Sequence, residues 1–220
     1  MQMFTIFITA TNTGVGKTFA AISLLKALAS VYPSLRIGVC KPIETGVKST
    51  PLDALALLKT CKAYNHNFFS LIPQDLTAYT FKLPAAPFVA AKAENQKISL
   101  ERVFLKIESF KKRCDILVVE GAGGLMVPIT KEYFMIDLLK EIANKTLLIT
   151  PSKLGCINET LLSIEALEKR EINFEWCINL YEEKSQFQTV SEPFYKSYFQ
   201  DYWFLENGIL EFAKRLSLLD

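Results

Sequence analysis

The stretch from Phe7 to Ala20, FITATNTGVGKTFA, constrains the fold more than any other part of the chain. An alternating run of β-formers, Phe4 to Ile8, stops at a short polar loop with two glycines. Gly16-Lys17-Thr18 then opens an apolar-periodic segment in which Ile22, Leu24, Leu25 and Leu28 recur at helical spacing. A strand, a tight loop and a helix built around one lysine suit an anion: backbone N–H groups and the helix N-terminus cradle a phosphate, the lysine neutralises it, and the hydroxyl reaches Mg²⁺. The strict pattern G-x-x-x-x-G-K-[ST] asks for glycine where Thr11 stands, so the motif rests on its strand-to-helix context. A purely structural glycine turn is the simpler alternative, but Gly-Lys-Thr at such a switch has few other uses.

Apolar β-type runs recur at 4–9, 36–40, 115–119, 145–149 and 174–179, with helical patterns at 16–30, 99–113, 134–143 and 157–170. This alternation predicts an α/β fold, a mostly parallel sheet with helices on both faces, of the P-loop NTPase type. With 220 residues, half of them apolar, the chain is expected to form a single domain over 1–220. Ligands in such sheets bind beyond the carboxyl ends of the strands. Lys17, Lys41, Glu120 and Lys153 each follow a predicted strand. The tail from Glu182 to Tyr202 reads as a loop and a helix before a final helix over 208–218.

The 25 basic and 23 acidic residues leave no basic stripe, and Lys111-Lys112-Arg113 is short enough to be solvated helix surface, so no nucleic acid partner is expected. Five scattered cysteines, Cys40, Cys61, Cys114, Cys156 and Cys177, lack any C-x-x-C spacing and fit reduced thiols in a cytoplasmic protein. No apolar run is long enough to span a bilayer, and the N-terminal run lacks the basic leader of an export signal, so no membrane partner is expected either. His66, the sole histidine, reads as a surface residue.

Three further segments carry candidate chemistry. In CKPIETG, Lys41 stands at a strand end with Pro42 stiffening the exit, although the heptapeptide alone reads equally well as a solvated loop lysine. In VVEGAGG, Glu120 follows a buried strand and is flanked by small residues, which leaves a carboxylate facing the ligand edge. Asp53 falls in the first turn of a helix after Pro51, where by itself it reads more simply as a capping acid. Together these residues make one site. Thr18, Asp53 and Glu120 would supply the hydroxyl and carboxylates that Mg²⁺ takes beside water and phosphate, and Lys17 and Lys41 would neutralise charge at a γ-phosphate.

TNTGVGKT (11–18), KPIETG (41–46), DALAL (53–57), VEGAGG (119–124) and KLGCIN (153–158), in this order and spacing, resemble the dethiobiotin synthetases, ATP-dependent ligases of biotin synthesis. The resemblance covers about residues 3–180. It implies that CO₂ joins 7,8-diaminononanoate as a carbamate, that ATP, a co-substrate, phosphorylates it to a carbamic-phosphoric anhydride, and that the second amine closes the ureido ring. It implies an ATP loop of Asn12, Thr13, Gly14, Val15, Gly16, Lys17, Thr18 and Phe19, with Asn179 at the adenine and Mg²⁺ at Thr18, Asp53 and Glu120. Thr13, Lys17, Lys41 and Thr45 would hold the carbamate and γ-phosphate, with Gly123 and Gly124 lining the substrate slot. It further implies a homodimer with shared active sites, in which Leu154, Gly155, Cys156 and Asn158 face the carboxylate of the substrate bound by the other subunit.

The chain departs from the family pattern at three places. Asn12 replaces an acid near the metal, Ala85 and Ala86 stand where the family carries a serine, and the base-packing segment after Asn179 is not recognisable in 181–206, which predicts loose nucleotide selectivity. The rival readings are a partitioning or cluster-assembly ATPase, which needs an extra lysine where Asn12 stands, and a cobyrinate-type amide synthetase, whose glutaminase domain does not fit in 220 residues.

Overall fold

The computed structural model describes residues 3–181 and 183–216. Five strands, β1 (Phe4–Ala10), β2 (Ile37–Cys40), β5 (Ile116–Gly124), β6 (Lys145–Pro151) and β7 (Phe174–Asn179), form an all-parallel sheet in the order β2-β5-β1-β6-β7. Consecutive residues of β1, Ile6, Phe7 and Ile8, are fully buried. Since neighbouring side chains point to opposite faces, both faces of the sheet are covered. A separate parallel pair, β3 (Ile43–Thr45) with β4 (Tyr79–Phe81), has no counterpart in the sequence reading, being too short to show a period.

The helices are α1 (Lys17–Val31), α2 (Leu52–Cys61), α3 (Pro87–Ala93), α4 (Leu100–Lys111), α5 (Met135–Ile142), α6 (Cys156–Glu168), α7 (Lys184–Gln186), α8 (Glu192–Tyr198) and α9 (Leu205–Arg215). In α4, Val103, Ile107 and Phe110 fall on one face and are buried, and the Ser99 side chain accepts from the Arg102 N–H at the start. The solvated patch expected at Lys111 ends this helix, with Lys111 paired to Glu108.

Two expectations are corrected. Glu120 does not follow its strand but lies inside it: β5 continues to Gly124 because β1 keeps pairing with it up to Ala10↔Gly124, across an irregularity between Ile8 and Ala10. The final helix starts at Leu205, not 208, and its predicted last residues, 217 and 218, lie outside the described residues. The aromatic tail is more helical than expected, with α7, a π-helical segment Phe187–Ser191 and α8 running nearly end to end. It exists to bury rings. Phe187 and Tyr195 join Cys156, Ile178 and Leu180 in a second apolar cluster, and the Tyr195 hydroxyl lies 2.9 Å from that of Thr160 on α6. All five cysteines are buried free thiols, and no described helix is long and apolar enough to cross a membrane.

Candidate active site

The β1–α1 loop is fixed from behind. Gly16 starts α1 at φ 101°, and a Cβ there would stand 2.2 Å from the Asn179 amide nitrogen, which donates to the Val15 carbonyl at 2.9 Å. The Tyr181 hydroxyl donates to the Gly14 carbonyl at 2.5 Å, and the Asn12 side chain accepts from the Thr13 N–H at 2.8 Å. Lys17 folds back over the loop and donates to the Asn12 carbonyl at 2.9 Å. Its ammonium is lowered to about 8 by burial and then by the charge of Lys41, with Glu120 and Asp53 opposing.

Lys41 is in the opposite condition. Its three N–H bonds go to Glu120 Oε1 at 2.5 Å, Asp53 Oδ2 at 2.9 Å and the Gly121 carbonyl at 3.1 Å, which satisfies every donor of a fully buried ammonium. Burial pulls it down, but the two carboxylates outweigh burial and hold it above the usual lysine range. Burial raises Asp53, yet Lys41 and the Thr18 hydroxyl hold it below the usual carboxylate range. Thr18 Oγ1 donates to Glu120 Oε1 at 3.0 Å.

The other Glu120 oxygen, Oε2, is buried with no partner. An orphaned carboxylate oxygen beside a hydroxyl and a second carboxylate fits Mg²⁺, which takes one or two carboxylates and completes its shell with water and phosphate oxygens. No group of three His, Cys, Asp or Glu side chains suited to a metal occurs among the described residues, so a cage of protein ligands alone is not what this site offers.

The capping role read for Asp53 belongs to Glu44, which the sequence reading passed over inside KPIETG. Its carboxylate accepts from the Asp53 and Ala54 N–H groups, both at 3.0 Å, and so closes the start of α2 from another segment. That frees the Asp53 side chain to turn to Lys41 and Thr18.

These groups line a cavity of about 490 Å³. Thr13, Gly14, Gly16, Lys17 and Thr18 form one wall; Lys41, Glu44, Thr45 and Asp53 form another; Glu120, Ala122 and Gly123 form the floor edge, and Pro84 to Pro87 with Val127 close the remaining side. Ala85 and Ala86 thus line the cavity and bring no side-chain hydroxyl to it. Asn12, Val15, Phe19, Gly124 and Asn179 do not line it: Val15 is core, and Asn179 stands behind the loop.

Leu154, Gly155, Cys156 and Asn158 also lie away from this cavity, at the start of α6. Leu154 is exposed and the Cys156 side chain is buried. The Leu154 N–H points to a carboxylate of the same chain, Glu183 Oε2, at 3.4 Å. One long bond ties the two loops together: Thr11 Oγ1 donates to Glu159 Oε2 on α6 at 2.9 Å. Nothing in the spacing of Glu159, Tyr181 or Glu183 announces these contacts, which exist only once the strands are side by side.

Residues 4–191 match a family model described as an AAA domain. A solved ParA family ATPase from Chlorobium tepidum TLS superposes with a TM-score of 0.53 at 13% identity, covering 97% of this chain and 93% of that one, a likeness of fold alone. In sequence, the ATP-dependent dethiobiotin synthetase BioD of Wolinella succinogenes is 39% identical over 96% of this chain and 97% of its own length. The protein of the same name from Sulfurovum sp. (strain NBC37-1) is 52% identical over 97% of this chain and all of its own. Relatedness at that level, running from one end to the other, makes this chain a member of the ATP-dependent dethiobiotin synthetases, a family of ligases.

Proposed function

We propose that this chain, as one P-loop α/β domain in the cytoplasm, closes a ureido ring on 7,8-diaminononanoate, using CO₂ and ATP and releasing dethiobiotin, ADP and phosphate. One amine adds to CO₂ and loses a proton, giving a carbamate. A carbamate oxygen attacks the γ-phosphorus and expels ADP, and the second amine attacks the carbonyl carbon of the resulting anhydride and expels phosphate. The observation that carries this reading is the cavity itself: two lysines and three carboxylates surround it, and among the described residues its lining contains no cysteine, serine or histidine. Such a site positions and neutralises reactants, which is what phosphoryl transfer between bound substrates requires.

Each residue then has a physical task. Lys41, locked in its charged form, faces the oxygens that gain charge as the phosphoryl group moves. Lys17 leaves the Asn12 carbonyl for a phosphate oxygen. Thr13 and Thr45 offer hydroxyl donors to the carbamate. Thr18, Asp53 and Glu120 would hold Mg²⁺, which neutralises phosphate charge when bound. Asn179 and the loop backbone would receive the nucleotide, with the base only loosely selected.

The same reading makes the protein a homodimer with shared sites. The α6 N-terminus is an anion site without a phosphate to bind, and the diamine carries a carboxylate several bonds from its amines. The Glu183 carboxylate beside Leu154 supports a carboxylate preference there.

The test supplies diamine, ¹³C-bicarbonate, ATP and Mg²⁺ and follows product by mass spectrometry. Labelled dethiobiotin with one ADP per product is expected. ATP hydrolysis without it is the behaviour of a partitioning-type ATPase and sinks the reading. Asp53→Asn and Glu120→Gln should each raise the Mg²⁺ needed for half-maximal rate by about tenfold. An unchanged titration in Glu120→Gln removes that residue from the metal set.

A further inference from the structure

A second cavity, of about 350 Å³, opens at the far end of α3 from the first. Its floor is apolar: Ala91, Ile98 and Ile129 are buried there, with Phe88 beside them. Its rim carries Lys92, Lys97 and Lys131 against a single acid, Glu132. None of these three lysines belongs to an ion pair among the described residues. Three cations outside any described ion pair around an apolar floor, on a protein whose whole-chain charge is only +2, are a local asymmetry that the first site does not use.

We propose that this cavity binds an aliphatic carboxylate, with its hydrocarbon chain on the floor and its anionic head among the lysines. A polyphosphate is disfavoured because the Glu94, Asn95 and Gln96 N–H groups at the end of α3 are all taken by carbonyls of that helix. α3 presents its C-terminal half here, where the helix dipole is negative, and the neighbouring start of α4 is already closed by Ser99. A volume near the low end for small-molecule cavities suits a chain of eight to ten carbons better than a bulkier ligand.

Occupancy of this cavity reaches the first one through shared segments. Pro87 lines the first cavity and Phe88 the second; Val127 lines the first and Ile129 the second; and the Phe88 N–H donates to the Pro128 carbonyl at 3.1 Å, joining the two segments. A ligand that pushes on Phe88 or Ile129 therefore moves the wall of the active-site cavity. This coupling, unlike the binding itself, rests on the reaction proposed above, whose substrate and product are both aliphatic carboxylates.

Full-length protein labelled at isoleucine δ1-methyls separates the alternatives by NMR titration with nonanoate. The expected result is saturable shifts of Ile98 and Ile129, weakened at least ~10-fold in Lys92→Glu/Lys97→Glu/Lys131→Glu, which changes only exposed side chains. Still methyls at both positions overturn the site, as do shifts confined to Ile43, whose strand borders the first cavity. Equal affinity of the charge-reversed variant, or equal binding of neutral nonanamide, overturns the anion. For the coupling, nonanoate should change the turnover of the wild type with the same midpoint as the methyl titration and leave the triple variant unaffected. Turnover indifferent to nonanoate at methyl saturation overturns the coupling.

Discussion

The chain launches two helices from left-handed glycines at the ends of neighbouring parallel strands, α1 from Gly16 after β1 and α6 from Gly155 after β6, and neither has a side-chain cap. Both could receive an anion by the same physics, since the helix dipole is positive there and first-turn N–H groups lack helical partners, although at α6 the Cys156 N–H already donates to the Lys153 carbonyl at 3.1 Å. What surrounds them differs. The α1 loop is closed in by its own chain, with Asn179 behind Gly16, Tyr181 on Gly14 and a buried lysine of its own, and it opens into a cavity with Lys41, Asp53 and Glu120. The α6 loop is open: among the described residues, chain neighbours aside, no atom lies within 4 Å of where a Cβ on Gly155 would be, Leu154 is exposed, and the residue after Gly155 is Cys156 where the first loop has Lys17. One helix end forms a site within a single chain. The other has no such walls among the described residues, which is the physical basis for proposing that a second subunit completes it.

The most severe way to break this contrast is to remove the lysine that directly follows the first loop's glycine, where the second loop has Cys156. Lys17→Met should lower turnover at least ~100-fold, about 3 kcal/mol of transition-state stabilisation. Its thermal midpoint should not fall, because the native protein holds that ammonium at a depressed ionisation. Turnover within a few-fold of the wild type would show that the first loop is no more a phosphate site than the second.

Glycine replacement separates enclosure from backbone strain. Gly155→Ala, at φ 94° in open space, should cost about 1–2 kcal/mol of unfolding free energy for the left-handed alanine alone. Gly16→Ala meets the Asn179 amide as well and should cost a further ~1–3 kcal/mol. Adding Asn179→Ala should recover part of that excess in the Gly16 variant and none in the Gly155 variant. Equal denaturant midpoints for the two glycine variants would refute the enclosure.

The Lys17 ammonium also gives the first loop a pH signature that the second lacks. Its free-protein value, about 8, lies below the ordinary lysine value because of burial and the charge of Lys41. The charge disfavoured by folding is therefore present below pH 8, and its cost to stability is relieved as pH rises from 8 toward the unfolded value. Nucleotide binding goes the other way. A phosphate favours the charged lysine, so ATP should bind with proton uptake above pH 8 and weaken by up to about tenfold per pH unit there. Calorimetry in buffers of different ionisation enthalpy measures the uptake, and a flat affinity from pH 7 to 9.5 would argue against it.

The smallest effect concerns the open loop. Glu183 places a carboxylate on the Leu154 N–H across an exposed 3.4 Å contact. Glu183→Ala should lower the KM for the diamine about two- to threefold, the size of a weak surface interaction, and leave nucleotide affinity unchanged. A raised diamine KM would mean that Glu183 helps the loop and does not compete for it.

Much of this could be read along the chain because it is local. The β1–loop–α1 unit spans consecutive residues whose period changes from two to 3.6 at Gly16, and the apolar runs of β1, β5 and β6 announce strands buried on both faces. Lys17, Thr18, Lys41 and Glu120 stood out for a related reason: each sits at or near the carboxyl end of a strand of the same sheet, whereas Asp53 lies in the first turn of α2 and joins them only in the folded chain. The loop alone also implied an anion.

Tertiary structure decided the assignments that depend on which strands are neighbours. Asp53 and Glu44, nine positions apart, each carry a carboxylate near the start of α2, and no rule of spacing says which one caps it. Packing settled it by placing Glu44 on the Asp53 and Ala54 N–H groups, leaving Asp53 for Lys41. The continuation of β5 through Glu120 to Gly124 required β1 alongside, since glycines have little strand preference of their own. The ionisation of the two lysines is the clearest case. Lys17 and Lys41 carry the same side chain and both are buried, yet one is depressed and the other raised, because only the folded chain puts two carboxylates on Lys41 and leaves Lys17 with a backbone carbonyl.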